Sequence, residues 1–385
     1  MSKFFNGYMK RISSIDAIRG IGILTLTPYH TMLVFYPRRE RRIGGQHAWN
    51  PLNAFPLFFF LISGMCLALS VERRRKNQNL KMLFLHYLYR YGGYIVIGFL
   101  ISLMVSLIDE FFVNLGALRD YLGIEGFYTW IEPIRGIGLA CLVSFPIIYY
   151  LSWKQLLISS ISLFISSSLI LLNIEDPYLF GYITPVLITG MYSLLKTVPT
   201  VLFGAAIGKI FSRKVFLKDL IEKNIERDFL SPKRLTILGL IILLIADSIY
   251  ISMVYSLFSN IQSPFGFLIL FLRKFSGPYY LETISNLGGF IFIFGLFERL
   301  RLKGYKFRPL TFVGQTGIQI FVVHLPLLIL LRSFIDPTTL TELSYLIIIV
   351  FTAVLMYMFS YFYVKYNINS KILYMIRKLS IYYIA

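Results

Sequence analysis

Charge is the first thing in short supply. Only 15% of the 385 residues are Asp, Glu, Lys or Arg, against 57% hydrophobic, and the mean hydropathy is +0.69. Soluble domains carry about 25% charged residues, so a water-soluble fold is excluded. Cysteine is nearly missing. Cys66 and Cys141 are the only two, and both fall in apolar runs. That excludes a disulfide framework and a thiolate metal centre, and leaves two small buried residues. Acidic residues are outnumbered, 19 against 38 Lys and Arg, for a net charge of +19. The ten-residue alternation of a transmembrane β-strand is absent, as are internal repeats of clear period and low-complexity linkers.

What is present is a series of apolar stretches, each about 20 residues long and able to cross a hydrocarbon core of about 30 Å. The sequence predicts an all-α polytopic membrane protein of about ten transmembrane helices in a single domain. The spans are 14–36, 52–71, 83–108, 133–152, 154–173, 192–212, 234–257, 280–299, 309–333 and 343–365. The split near Trp153 and the stretch FGFLILFLRKF within 260–280 are the least sharply marked. Residues 1–13 read as a cytoplasmic N-terminus without a cleavable signal peptide, because the basic segment leads straight into a span too long for a signal core. Residues 14–365 form the membrane domain, and 366–385 an amphipathic cytoplasmic tail rich in Lys, Arg, Tyr and Ile.

With the N-terminus in the cytoplasm, the loops sort by charge. The inner set 1–13, 72–82, 152–154, 209–235, 299–308 and 365–385 holds 26 of the 38 Lys and Arg. The outer loops, such as Asp336–Glu342, are net acidic. This is the positive-inside pattern. It accounts for most of the excess charge without nucleic acid as a partner; the partner is the bilayer. The exception is Pro37–Arg42, whose four arginines stand on the outer side.

Polar groups at bilayer depth mark sites by default, since a charged side chain there costs about 3 kcal/mol. His30 lies 16 residues into the first span, about 24 Å along a helix. His324 lies 15 residues into the ninth, which begins on the same side. His47 sits in the outer loop, five residues before the second span. Three of the four histidines thus project to one layer in the outer third of the membrane. His86 is the fourth, at the inner start of the third span near Arg90. Two readings of the layer stand: polar residues that tie helices together, or a reaction site. No Cys, Asp or Glu falls at ligand spacing from them, so no metal is expected.

Other polar residues also carry two readings. Asp16 and Arg19 share a helix face, as an intrahelical ion pair or as a place where Arg19 holds an anion. Lys209 follows Gly204–Gly208, where the glycines suit close helix packing; the lysine either snorkels or meets a phosphate. Asp247 is mid-span, as a structural acid or a substrate contact.

These residues resemble the catalytic domain of the heparan-α-glucosaminide N-acetyltransferase family. Its opening pattern is matched by Arg11, Ser14, Ile15, Asp16, Arg19 and Gly20. Its loop, His-Ala-(Ser)-Trp-Asn, resembles His47, Ala48, Trp49 and Asn50, followed by Phe55, Pro56, Phe58, Phe60 and Gly64. Gly204, Gly208 and Lys209 resemble a mid-chain motif, and Gly314 to His324 a late one. Eukaryotic members carry Asn where His30 and Thr316 stand, and their long lumenal insertions are absent. His30 and Phe58–Gly64 also resemble the acyltransferase-3 family of O-acyltransferases.

The resemblance implies an acyl-CoA-dependent membrane acetyltransferase. Acetyl-CoA is its co-substrate from the cytoplasm, and an amino sugar or related glycan its acceptor on the outer side. His47 is implied as general base or transient acetyl carrier. Asn50, His30 or His324 would polarise the thioester carbonyl. Arg19, Arg135, Lys209 and Gln315 would hold the CoA moiety. A prokaryotic plasma membrane, cytoplasmic termini and a homodimer go with the same implication. An O-acyltransferase with His30 as base and a non-enzymatic transporter are the competing classes.

Overall fold

The computed structural model describes residues 12–35, 55–108, 133–173, 193–217, 231–259, 278–335, 340–366 and 368. Eleven helices and no strand occur among them. They are α1 (Ser13–Phe35), α2 (Phe55–Arg74), α3 (Leu80–Ile108), α4 (Pro133–Tyr150), α5 (Trp153–Asn173), α6 (Leu194–Leu217), α7 (Pro232–Ser259), α8 (Pro278–Leu302), α9 (Arg308–Gln315), α10 (Gly317–Phe334) and α11 (Glu342–Lys365). Seven are long and apolar enough to cross a membrane: α3, α4, α5, α6, α8, α10 and α11. The protein is an all-α polytopic membrane protein. Each of the ten spans read from the sequence falls on a helix, the ninth on two. The regions 37–54, 218–230, 260–277 and 369–385 lie outside the described residues. With them go Pro37–Arg42, the 260–277 part of the half-helix stretch, and the tail.

The helix boundaries have local causes. Between α4 and α5, the Gln155 carboxamide oxygen accepts from the Ser152 backbone N–H at 2.8 Å, and the Gln155 N–H reaches Ser152 Oγ at 3.4 Å. This reciprocal box satisfies two orphan donors and starts a new helix after a gap of two residues. The Asn79 side chain caps α3 by accepting from the Met82 N–H at 2.9 Å. Ser231 caps α7 and Thr341 caps α11 in the same way. α8 runs out at Gly304, whose φ of +88° a side chain would disfavour.

The ninth span is broken. α9 stops at Gln315, Thr316 leaves the helix (φ −104°, ψ 15°), and α10 starts at Gly317. Backbone freed at membrane depth has to be satisfied inside the protein. Here the Thr316 N–H reaches the carbonyls of Phe312 and Val313, and its hydroxyl lies 2.8 Å from Ser360 Oγ on α11. Ser360 in turn donates to the Met356 carbonyl at 2.8 Å.

The chain divides into two compact units, residues 1–43 with 296–385, and residues 44–295. In the first, α1 and α10 run parallel: Gly317 lies against Ile23, His324 against His30, and Arg332 against Val34. α9 crosses α1 at glycines. A Cβ at Gly20 would overlap the Leu310 carbonyl, and one at Gly314 the Asp16 carbonyl. Ser14 Oγ donates to Glu298 Oε2 at 2.8 Å, and Arg301 Nε reaches the same carboxylate at 2.9 Å. The start of α1 and the end of α8 therefore share a side, as the charge pattern requires.

In the second unit, α2 and α6 meet through Gly64, Gly204 and Gly208. A Cβ at any of the three would overlap a carbonyl oxygen of the facing helix or crowd against it. α3 and α4 are antiparallel, from Phe145 beside Tyr87 to Arg135 beside Gly98. α7 and α8 are antiparallel too, with Gly239 against Phe292, Gly288 against Leu243, and Ser285 donating to Asp247 Oδ1 at 2.6 Å. Lys209 Nζ lies 3.0 Å from Glu72 Oε1 and 2.7 Å from the Leu151 carbonyl. The ends of α2, α4 and α6 thus gather at one side, again as the charges require. The core of this unit packs around Phe60, Leu67, Tyr87, Cys141, Phe145 and Val201. Cys141 is buried there as a small apolar residue. Leu100, Leu103, Ile161, Ile165, Leu244 and Ile245 are exposed apolar residues on α3, α5 and α7, surfaces suited to acyl chains.

Candidate active site

The first unit brings two of the candidate histidines together. His30 Nδ1 lies 2.7 Å from His324 Nε2, and the rings are nearly coplanar and edge to edge, with centroids 5.0 Å apart at 8°. The parallel run of α1 and α10 from a common side sets their equal depth. His324 Nδ1 lies 2.9 Å from the Ile320 carbonyl, one turn back on α10. A carbonyl only accepts, so His324 Nδ1 carries a hydrogen. With both rings neutral, His324 Nε2 is then the acceptor and His30 Nδ1 the donor. His324 is 1% exposed, whereas His30 is only partly buried.

Phe321, also on α10, stands edge-on to both imidazoles at 5.3 and 6.5 Å and limits their rotation. Sequence reasoning missed it, although its position three residues before His324 is the signal. Beyond the pair, Arg332 Nη1 donates to the Val34 carbonyl at 2.6 Å and ties the last turn of α10 to the end of α1. Thr31 and Thr352 hydroxyls meet at 3.2 Å between α1 and α11. His47 and Asn50 lie outside the described residues.

Of the residues expected to hold CoA, Arg19 and Gln315 belong to the first unit and Arg135 and Lys209 to the second. Arg19 is ion-paired with Asp16 at 3.5 Å and keeps 30% of its side chain exposed. Gln315 is the last residue of α9, partly exposed, at the break. Lys209 is 5% exposed and engaged by Glu72 and the Leu151 carbonyl, which gives it a structural use in clamping α2, α4 and α6. Arg135 is equally buried at the opposite end of the second unit. It stands 4.6 Å over the Phe99 ring and 3.4 Å from Ser102 Oγ, with its stem passing where Gly98 has no side chain. α4 spans the 16 residues between Arg135 and Leu151, so Arg135 and Lys209 are about 24 Å apart along the helices. No single phosphate can touch both.

Two further polar features escaped the sequence. Glu298 is 4% exposed and held by Ser14 and Arg301. Asn286, 4% exposed on α8, has its Nδ2 without a hydrogen-bond partner among the described residues.

The class is set by these features: a polytopic helical membrane protein with a hydrogen-bonded imidazole pair buried between two parallel helices. The family model described as heparan-alpha-glucosaminide N-acetyltransferase, catalytic, matches residues 11–255, and the chain belongs to that family. Membership places it among membrane-embedded transferases. The match includes Arg19, His30, His47, Asn50, Arg135 and Lys209, and ends before Gln315 and His324. The His30···His324 contact thus joins the matched segment to a helix beyond it. No curated protein matches the chain.

Proposed function

We propose that the protein moves an acetyl group from cytoplasmic acetyl-CoA to the amine of an amino sugar or related glycan on the outer side of a prokaryotic plasma membrane. Family membership supports the reaction class. The observation that carries the site is the 2.7 Å contact between His30 and His324. It joins two imidazoles about 24 Å along α1 from the helix start, in the outer third of the expected bilayer. The acceptor nitrogen attacks the thioester carbonyl carbon, the new C–N bond forms, and the C–S bond breaks. The acceptor's proton passes to an imidazole, and the departing sulfur takes a proton back.

In this reading the family pattern of the loop gives His47 the role of base and Asn50 that of donor to the developing oxyanion. Arg19 and Gln315 are the better-placed contacts for the CoA arm. Lys209 and Arg135 contribute mainly by holding their helices. Cytoplasmic termini and a homodimer belong to the same proposal.

The test is acetyl transfer by purified protein in lipid nanodiscs, with radiolabelled acetyl-CoA and glucosamine. An alkali-stable labelled product, lost in His47→Ala with folding intact, is the expected result. An alkali-labile product would assign an ester and an O-acyltransferase. Neither product nor CoA binding would overturn the proposal and leave a transporter.

A further inference from the structure

We propose that the hairpin of α2 and α3 holds the phosphate headgroup of an anionic phospholipid. The basis is an unbalanced charge. Residues 73–90 contain six Lys or Arg and no acid. Glu72, just before them, is already shared between Arg75 at 2.6 Å and Lys209 at 3.0 Å. Arg74, His86 and Arg90 remain, and no carboxylate among the described residues pairs with any of the three. They are neighbours: Arg74 and Arg90 both act electrostatically on His86 and on Tyr87 beside it. Arg90 has tyrosines for company. Its guanidinium stands 5.7 Å over the Tyr91 ring and is hydrogen-bonded to the Tyr94 side chain.

Packing beneath the cluster fixes its place. Leu83, Tyr87 and Tyr91 are buried at four-residue spacing, so this face of α3 is turned into the protein. The Tyr87 hydroxyl donates to Ser70 Oγ at 2.8 Å and ties α3 to α2. His86 and Arg90 each precede one of the buried tyrosines, one turn apart, and so run along the edge of that face. Arg74 comes to the same edge from the last turn of α2. Outside the edge α3 is apolar and exposed, at Met82, Phe84, Leu85, Leu88 and Tyr89. Cations gathered at one point repel each other, and a phosphate relieves them by accepting paired N–H bonds from the guanidiniums. The apolar face alongside suits acyl chains, so both parts of an amphiphile are met together. A soluble phosphate would use only the cations. His86 and Arg90 lie six and ten residues past Leu80, about 9 and 15 Å along α3. A long arginine stem brings its charge back to headgroup level. In the orientation proposed above, the lipid belongs to the cytoplasmic leaflet, where anionic headgroups attract basic segments. The site stands apart from the transferase reading and does not need it.

The test is native mass spectrometry of the full-length protein in neutral detergent, with phosphatidylglycerol or phosphatidylcholine added. Phosphatidylglycerol should be retained about tenfold better. Arg74→Gln and Arg90→Gln should each weaken its retention about fivefold, and together about 25-fold, with phosphatidylcholine unaffected. Lys303→Gln combined with Lys306→Gln removes two exposed cations from the turn between α8 and α9 and should leave retention within twofold of wild type. Equal retention of the two lipids, or an equal loss in the Lys303/Lys306 variant, would overturn the proposal, because diffuse attraction would then explain the binding. Displacement of the lipid by millimolar CoA would overturn it too, by assigning the cluster to a nucleotide phosphate. A second measurement needs no variant. Wild-type protein should melt at a higher temperature with phosphatidylglycerol than with phosphatidylcholine, and equal midpoints would overturn the proposal whether or not the protein transfers acetyl groups.

Discussion

Removing the ammonium of Lys209 tests whether that residue serves the fold or a ligand. Lys209→Met keeps most of the stem and deletes the charge. Glu72 then loses the partner at 3.0 Å, and the Leu151 carbonyl loses a donor at 2.7 Å. Breaking a buried ion pair costs about 3–5 kcal/mol. Arg75 still reaches Glu72 at 2.6 Å with its own side chain 44% exposed, so part of the carboxylate's charge stays compensated. The orphaned carbonyl adds about 1 kcal/mol. The expected loss is about 3 kcal/mol. At about 2 °C per kcal/mol, this lowers the melting temperature in detergent by about 6 °C. Glu72→Gln in the same background removes the stranded charge and should restore about half of that. KM for acetyl-CoA should stay within twofold. Unchanged melting together with a tenfold higher KM would refute the structural role and give Lys209 back to the nucleotide.

Three other outcomes follow from the packing. Gly204→Ala drives a methyl into the Leu61 carbonyl and should cost about 3 kcal/mol, the upper end for overpacking; a melting temperature equal to wild type would refute the close α2–α6 crossing. Gly314→Ala, aimed at the Asp16 carbonyl, should reduce transfer as well, because it displaces α9 and with it the start of α10; normal kcat in a folded variant would contradict that linkage. Asn286→Leu replaces a buried amide whose Nδ2 has no partner among the described residues, and should raise stability by about 1 kcal/mol. A drop in stability would mean the amide is engaged in the membrane.

Much of the architecture was legible because helical spans announce themselves by length and apolarity alone. Even the weakest boundary, near Trp153, falls where Ser152 and Gln155 form a capping box. The equal depth of His30 and His324 was readable from counting residues off a shared side. What counting cannot supply is the rotation of each helix, so their direct contact was not foreseeable. The break at Thr316 was missed because an apolar run reads as one span; Gly314 and Gly317 around it were the only local hint. The Ser14–Glu298 bond and the clamp on Lys209 join residues far apart in the chain, and no local pattern encodes such pairings. Arg135 shows what residue counting does supply: its place near the start of α4 sets it at the far end of the second unit from Lys209.

The parallel course of α1 and α10 turns residue count into a ruler with little tolerance. Each helix is pinned near its origin, α1 by Ser14 on Glu298 and the α9–α10 arm by Gly314 on Asp16. Deleting one residue between either anchor and its histidine would lower that ring by about 1.5 Å and swing it by about 100°, carrying it off its neighbour altogether. Indels in these two segments should therefore silence the protein even where the inserted or removed residue is chemically inert, while many side-chain exchanges on the same turns pass unnoticed.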